Sequence, residues 1–124
     1  MSSKLITNLS NIRKVNKSKI VLCHGVFDLL HIGHINYFEA AKKNGNILVV
    51  SITSNEFVNK GPGRPAFNIQ QRLNCVSALE IVDYVYVSEN ETAIDIIKQL
   101  QPNFYCKGLD YYDKPNDLNL KKEI

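Results

Sequence analysis

The stretch Ile20-Val21-Leu22-Cys23-His24-Gly25-Val26-Phe27-Asp28-Leu29-Leu30-His31-Ile32-Gly33-His34 decides the fold. Its first four residues form an unbroken apolar run with two β-branched members, the pattern of a strand buried on both faces. His24-Gly25 ends that run. From Ile32 to Lys43 the residues Ile35, Phe38 and Ala41, with Ala40, recur at helical spacing, and Asn44-Gly45 closes the helix. A buried strand leading through a short loop into a helix is the opening unit of a parallel α/β sheet.

The rest of the chain repeats the unit. Ile47–Thr53, Tyr84–Val87 and Phe104–Lys107 read as three further strands. Between them the sequence predicts a short helix over Ser54–Lys60, capped by Ser54 with Glu56 in its first turn. A second runs from an Asn68 cap to about Leu79, and a third from Thr92 to Leu100, stopped by Pro102. Gly61-Pro62-Gly63-Arg64-Pro65 breaks any ladder. Before the first strand, Leu5, Ile6, Leu9, Ile12 and Val15 predict an amphipathic helix over residues 3–16. The expected architecture is α/β: a Rossmann-like three-layer parallel sheet with helices on both faces. A basic amphipathic helix over 1–18 precedes a domain over 19–124. In such sheets ligands bind outside the carboxyl ends of the strands, which points to the loops 24–34, 54–67 and 107–112.

Composition narrows the function. The 124 residues suit one domain, and 44% apolar with 22% charged residues describes a globular protein. The net charge of +3 is unevenly placed. Lys4, Arg13, Lys14, Lys17 and Lys19 stand in the first 19 residues with no acid, leaving ten of the fifteen basic residues against all twelve acidic ones. The body is therefore not a basic nucleic-acid binder. No apolar run approaches the roughly 18–20 residues of a membrane span, and the start lacks the apolar segment of a secretory signal. Cys23, Cys75 and Cys106 are odd in number and widely spaced. They read as small buried hydrophobes in a cytoplasmic protein, not as a disulfide framework or metal pair.

All three histidines, His24, His31 and His34, lie within eleven residues. His31 and His34, three apart at a helix start, share a face. Gly33 between them leaves the backbone open, so the helix N-terminus and two imidazole donors suit an anion, phosphate above all. Such a cluster suits charge developing on a transferring phosphorus group. A transition-metal site with Asp28 or His24 as third ligand is the competing reading, and structural histidines are the plain one. His24, at the strand end, reads as structural.

The motif Gly-x-Phe-Asp-x-x-His-x-Gly-His over Gly25–His34 resembles the nucleotidyltransferase superfamily of cytidylyltransferases and related adenylyltransferases. The resemblance runs from about Lys19 to Tyr111. It is most similar to the heptose-1-phosphate adenylyltransferase domain of ADP-heptose synthases. The stretches that carry this are Ala41–Asn46, Lys60–Pro65, Gln71-Arg72-Leu73, Ala78–Tyr84 and Lys107-Gly108-Leu109-Asp110-Tyr111.

The resemblance implies that a phosphate oxygen of a sugar 1-phosphate attacks the α-phosphorus of a nucleoside triphosphate, with ATP as donor, and that pyrophosphate leaves. It implies His31, His34 and Lys60 as catalytic residues. Gly25, Phe27, Asp28, Gly33, Arg72, Lys107, Gly108, Asp110 and Tyr111 would bind nucleotide or phosphate, and Arg64 the acceptor phosphate or its own loop. Mg²⁺ would accompany the triphosphate, with Asp28 near it and no protein-only metal site. Lys42, roughly 12 Å along the helix from His34, is expected to be solvated. Asp83 follows a family pattern placed near a subunit interface, implying a homodimer. A fused or separate sugar kinase domain is a further expected partner; nucleic acid and membrane are not.

The family's Ser/Thr-rich motif at the start of a further helix does not appear before Ile124, so the reading expects a domain cut short at its C-terminus. Two alternatives stand beside it. One is a CTP-dependent cytidylyltransferase acting on a polyol or alcohol phosphate such as glycerol 3-phosphate. The other, of a different class, is a catalytically incomplete nucleotide-binding module.

Overall fold

A computed structural model describes residues 4–15, 17–57, 65, 67–90 and 92–107. In chain order the elements are α1 (Leu9–Val15), β1 (Ile20–Gly25), α2 (Ile32–Lys42), β2 (Ile47–Thr53), a single 3₁₀ turn (Asn55–Phe57), α3 (Ile69–Ser77), β3 (Tyr84–Ser88), α4 (Ile94–Leu100) and β4 (Phe104–Lys107). The four strands form one parallel sheet in the order β3-β2-β1-β4.

Alternation along β1 builds both cores. Val21 and Cys23 point into the layer of α2 and α3, where they meet Phe38, Ala41, Leu73 and Val76. Ile20 and Leu22 point the other way, to Leu9 and Ile12 of α1 and Ile96 and Leu100 of α4. All four of these β1 residues are fully buried, which is why the run is apolar without alternation. Ile20, Val21 and Leu22 each contribute roughly 1.5–3 kcal/mol of transfer free energy. Gly45 lets the α2–β2 turn lie against the start of β1, because a Cβ there would stand 2.8 Å from the Lys19 carbonyl oxygen.

The N-terminal stretch differs from the predicted helix over 3–16. Helix begins only at Leu9, and Asn8 Oδ1 accepts from Asn11 N at 2.9 Å. Leu5 instead bridges in parallel with Val85, with Ile6 N donating to Val85 O and Val85 N donating to Lys4 O. The edge of β3 thus satisfies backbone groups that a helix would have satisfied internally. Nor is the stretch a separable arm. Leu9 and Ile12 are buried, Lys4 Nζ donates to Leu79 O at 2.8 Å, and Arg13 ties α1 to the end of α4 through Leu100 O, Gln101 O and Asn103 Oδ1. Two of the five N-terminal charges therefore serve the fold.

The predicted helix over Ser54–Lys60 is, within its described part, the 3₁₀ turn Asn55–Phe57. Helix α4 starts at Ile94 and ends with Gln101 in the left-handed region (φ 51°), one residue before Pro102. The strand order reverses at β1: β2 and β3 lie on one side and β4 on the other. The crevice for a ligand in such a sheet opens between the carboxyl ends of β1 and β4, at Gly25 and Lys107.

Candidate functional site

At that crevice β1 gives way to the loop Val26–Leu30 and then to His31, the N-cap of α2. The two histidines cap one turn reciprocally. Gly33 N donates to His31 Nδ1 at 3.0 Å, and His31 N donates to His34 Nδ1 at 3.2 Å. Because each Nδ1 accepts a backbone N–H, the neutral rings carry their proton on Nε2, which makes Nε2–H the donor side of each ring. The ring centroids are 4.1 Å apart, with His31 exposed and His34 half-buried.

This arrangement corrects one expectation. Three N–H groups of the helix start are already engaged: Gly33 N is taken by His31 Nδ1, and His34 N and Ile35 N are directed at His31 O. An anion at this turn would meet the imidazole Nε2–H groups beside a backbone whose Gly33, His34 and Ile35 N–H groups are already engaged.

Phe27 takes a different place from the one expected of a ligand-binding side chain. Its ring is buried, 5.1 Å from Phe38 and edge-on to His34 at 5.9 Å. Its backbone is left-handed, with φ 50°. For a bulky L-residue that conformation costs roughly 1–2 kcal/mol. Glycine at 25 leaves room for this ring: a Cβ there would lie 3.0 Å from Phe27 Cζ, so the ring would have to shift by a few tenths of an ångström.

Arg72, expected at the phosphates, is instead buried at 1% exposure. Its guanidinium donates to Val26 O (3.0 Å), Thr53 O (2.5 Å), Phe67 O (3.0 Å) and Asn55 Oδ1 (2.7 Å). Four of its five N–H donors are thus spent on protein acceptors. Burial draws its pKa below the ordinary value, and the Asp28 carboxylate opposes that shift. Asp28 Oδ1 itself accepts from Phe67 N at 2.8 Å. Its carboxylate therefore ties the loop after β1 to the segment entering α3. One sequence signal could have found the buried arginine: Ile69, Arg72, Leu73 and Val76 share one helical stripe, so Arg72 sits inside the apolar face.

His24 is structural in its contacts. It is buried, and its Nδ1 lies 2.6 Å from Ser51 Oγ, its register partner on β2. Lys42 is not solvated as expected: Nζ stands 2.6 Å from Asp83 Oδ2. The same Asp83 oxygen accepts from Leu48 N at 2.7 Å, so this carboxylate anchors the start of β2 within its own chain. The cysteines also divide, with Cys75 exposed rather than buried. Cys23 and Cys106 face each other in register across β1 and β4. The Cys23 thiol donates to the Cys106 sulfur, which raises the Cys23 pKa and lowers that of Cys106 to about 7.

Lys60, Arg64, Gly108, Asp110 and Tyr111 lie outside the described residues, as does the side chain of Lys107, whose backbone ends β4. Among the described residues no group of three or more His, Cys, Asp or Glu could hold a metal ion, so the transition-metal reading of the histidines finds no ligand set there. No described helix is long and apolar enough to cross a membrane.

The geometry coincides with a family match. The family model described as cytidylyltransferase-like covers residues 22–123. The chain belongs to the cytidylyltransferase-like family. Among curated relatives it is 40% identical over 111 residues to Bifunctional protein HldE of Helicobacter acinonychis, covering 88% of this chain and 24% of the relative. It is 42% identical over 95 residues to Bifunctional protein HldE of Methylobacillus flagellatus, covering 75% of this chain and 20% of the relative. The chain therefore spans about a quarter of the length of the curated relatives it matches. A solved lipopolysaccharide core biosynthesis protein from Thermoplasma volcanium superposes with a TM-score of 0.70 at 30% identity, over 81% of this chain and 80% of that one. This cytidylyltransferase-like chain thus shares the family's α/β architecture, and its histidine turn falls at the sheet's switch point.

Proposed function

We propose that this domain is a nucleotidyltransferase that moves a nucleoside monophosphate from a nucleoside triphosphate, ATP above the others, to a sugar 1-phosphate. An acceptor phosphate oxygen forms the new bond to the α-phosphorus, the bond from that phosphorus to the β-phosphate bridging oxygen breaks, and pyrophosphate leaves. The observation that carries the reading is the pair of Nε2–H donors of His31 and His34, fixed in one tautomer by reciprocal caps where the strand order reverses. Two preorganised donors at that turn stabilise charge gathering on the phosphoryl oxygens, and the reaction asks for little beyond positioning and charge stabilisation. The resemblance of the motifs to the adenylyltransferase domain of ADP-heptose synthases, beside the likeness to a lipopolysaccharide core biosynthesis protein, supports a sugar phosphate as acceptor.

In this reading Lys60 neutralises phosphate charge and Arg64 meets the acceptor. Lys107, Gly108, Asp110 and Tyr111 bind the nucleoside; in sequence they stand at and directly after the end of β4. Gly25 and Gly33 shape the two ends of the loop. Mg²⁺ enters on the triphosphate as part of the substrate. A second copy of the chain and a sugar kinase unit are the proposed protein partners, with the cytoplasm as their compartment.

The test is pyrophosphate release with ATP or CTP, Mg²⁺ and a panel of heptose 1-phosphate, other sugar 1-phosphates and glycerol 3-phosphate. Release with ATP and a sugar 1-phosphate supports the reading. Release only with CTP and glycerol 3-phosphate replaces it by the polyol reading. Nucleotide binding without release for any pair makes the domain a binding module.

A further inference from the structure

We infer that Arg72 is a positioning residue for His34: it holds the left-handed Phe27 loop whose aromatic ring sets the angle of that imidazole. The inference rests on the proposed role of His34 at the phosphates.

The bonds form a closed circuit. Val26, directly before Phe27, gives its carbonyl to Arg72 at 3.0 Å. Asp28, directly after Phe27, accepts from Phe67 N at 2.8 Å, and Phe67 O accepts from Arg72 Nε at 3.0 Å. Phe27 is therefore tied on both sides to one guanidinium. Thr53 O and Asn55 Oδ1 attach the same group to the end of β2, so three segments around the site share one strut.

Such a strut has a task. A phenylalanine at φ 50° is not a conformation the loop adopts freely, and it persists only where the surroundings over-determine it. The conformation folds the Phe27 ring over Gly25 and against Phe38, leaving the ring in edge contact with His34 at 5.9 Å. The contacts that orient His34 include the His31 N–H at its Nδ1, the His31 ring, and the Phe27 ring at its side. The last of these depends on Arg72. Planarity matters as well: a fork of donors reaches acceptors in several directions, whereas a lysine ammonium is a single point.

The experiment compares wild type with Arg72→Lys and Phe27→Leu in the full chain, by ¹⁵N chemical shifts of the histidine rings and by pyrophosphate release. In both variants the His34 ring nitrogens should move from the Nε2–H pattern toward averaged values, while His24, held by Ser51, keeps its shifts. Where turnover is measurable, Arg72→Lys should lower kcat about tenfold or more with KM for the triphosphate within about threefold. The same change placed on His34→Ala should add little.

Unchanged His34 shifts in both variants would overturn the inference. So would a KM effect at constant kcat, the mark of a direct phosphate ligand, or losses that multiply in the double variant. If Arg72→Lys does not fold, Phe27→Leu, which keeps an apolar side chain in the core, decides the point through the ring shifts alone. If no triphosphate and acceptor pair turns over, the proposed function fails, but the ring shifts still report whether Arg72 positions His34.

Discussion

The backbone N–H of His31 donates to Nδ1 of His34 at 3.2 Å, so the two residues close the first turn of α2 on one another. Each ring thus joins a capping nitrogen to a second nitrogen on which the proposed function rests. His31→Ala removes the cap on Gly33 N and should cost about 1 kcal/mol, whereas His31→Asn keeps a cap acceptor and should stay within about 0.5 kcal/mol of wild type. Both should lose turnover, since neither presents an imidazole Nε2–H. Chemical denaturation beside pyrophosphate release checks the separation, and an active His31→Asn would contradict it.

The Asp83 carboxylate serves two donors on one oxygen, Lys42 Nζ and Leu48 N. Lys42 and Asp83 are partly exposed, at 26% and 33% of their side-chain surfaces, so the ion pair itself is weak. Lys42→Ala should cost under about 1 kcal/mol, and Asp83→Ala about 1–3 kcal/mol, because it leaves the β2 amide unpaired. Equal losses in denaturant melts would contradict the asymmetry.

Leu9 is 1% exposed in the layer of α1 and α4. Leu9→Ala should destabilise by roughly 2–5 kcal/mol, the range for truncating a buried leucine. Deleting residues 1–18 should unfold the domain, not merely strip a basic arm. A melting temperature unchanged in Leu9→Ala would restore the separable arm.

The Cys106 thiol, hydrogen-bonded by Cys23, has its pKa lowered to about 7. Because folding depresses this pKa, its contribution to stability is present above the unfolded thiol's range and is lost as pH falls through about 7. Cys23, raised by the same bond, opposes it at alkaline pH. Iodoacetamide labelling of Cys106, mapped by mass spectrometry, should show a midpoint near pH 7 in wild type and a higher one in Cys23→Ala. An unmoved midpoint would contradict the thiol–thiol bond.

The strands and the histidine turn were legible because their signals are local. Ile20–Cys23 and Ile47–Thr53 are apolar on both faces since helices cover both, and the three-residue spacing of His31 and His34 places both rings on one turn. Tertiary partners decided what was misread. Leu5 and Ile6 fit a helical stripe with Leu9 and Ile12, but the free edge of β3 claims them. Lys42 looks solvated along its own helix until the 81–83 segment brings a carboxylate to it. Arg72 has the charge of a phosphate ligand, and only the convergence of three segments on its guanidinium reveals a buried strut. Phe27 sits in a motif that suggests contact with a ligand, yet its positive φ turns the ring into the core.

Pyrophosphate release from ATP, Mg²⁺ and a sugar 1-phosphate, compared across His31→Ala, His34→Ala and His24→Ala, tests the central claim most directly. The account predicts a fall of about 10²–10³ in turnover for His31→Ala and for His34→Ala, each the loss of one transition-state donor. It predicts that His24→Ala, which leaves Ser51 Oγ unpaired, mainly lowers stability, by about 1–3 kcal/mol. Comparable kinetic losses at all three histidines, or near-wild-type turnover in both His31→Ala and His34→Ala, would contradict it.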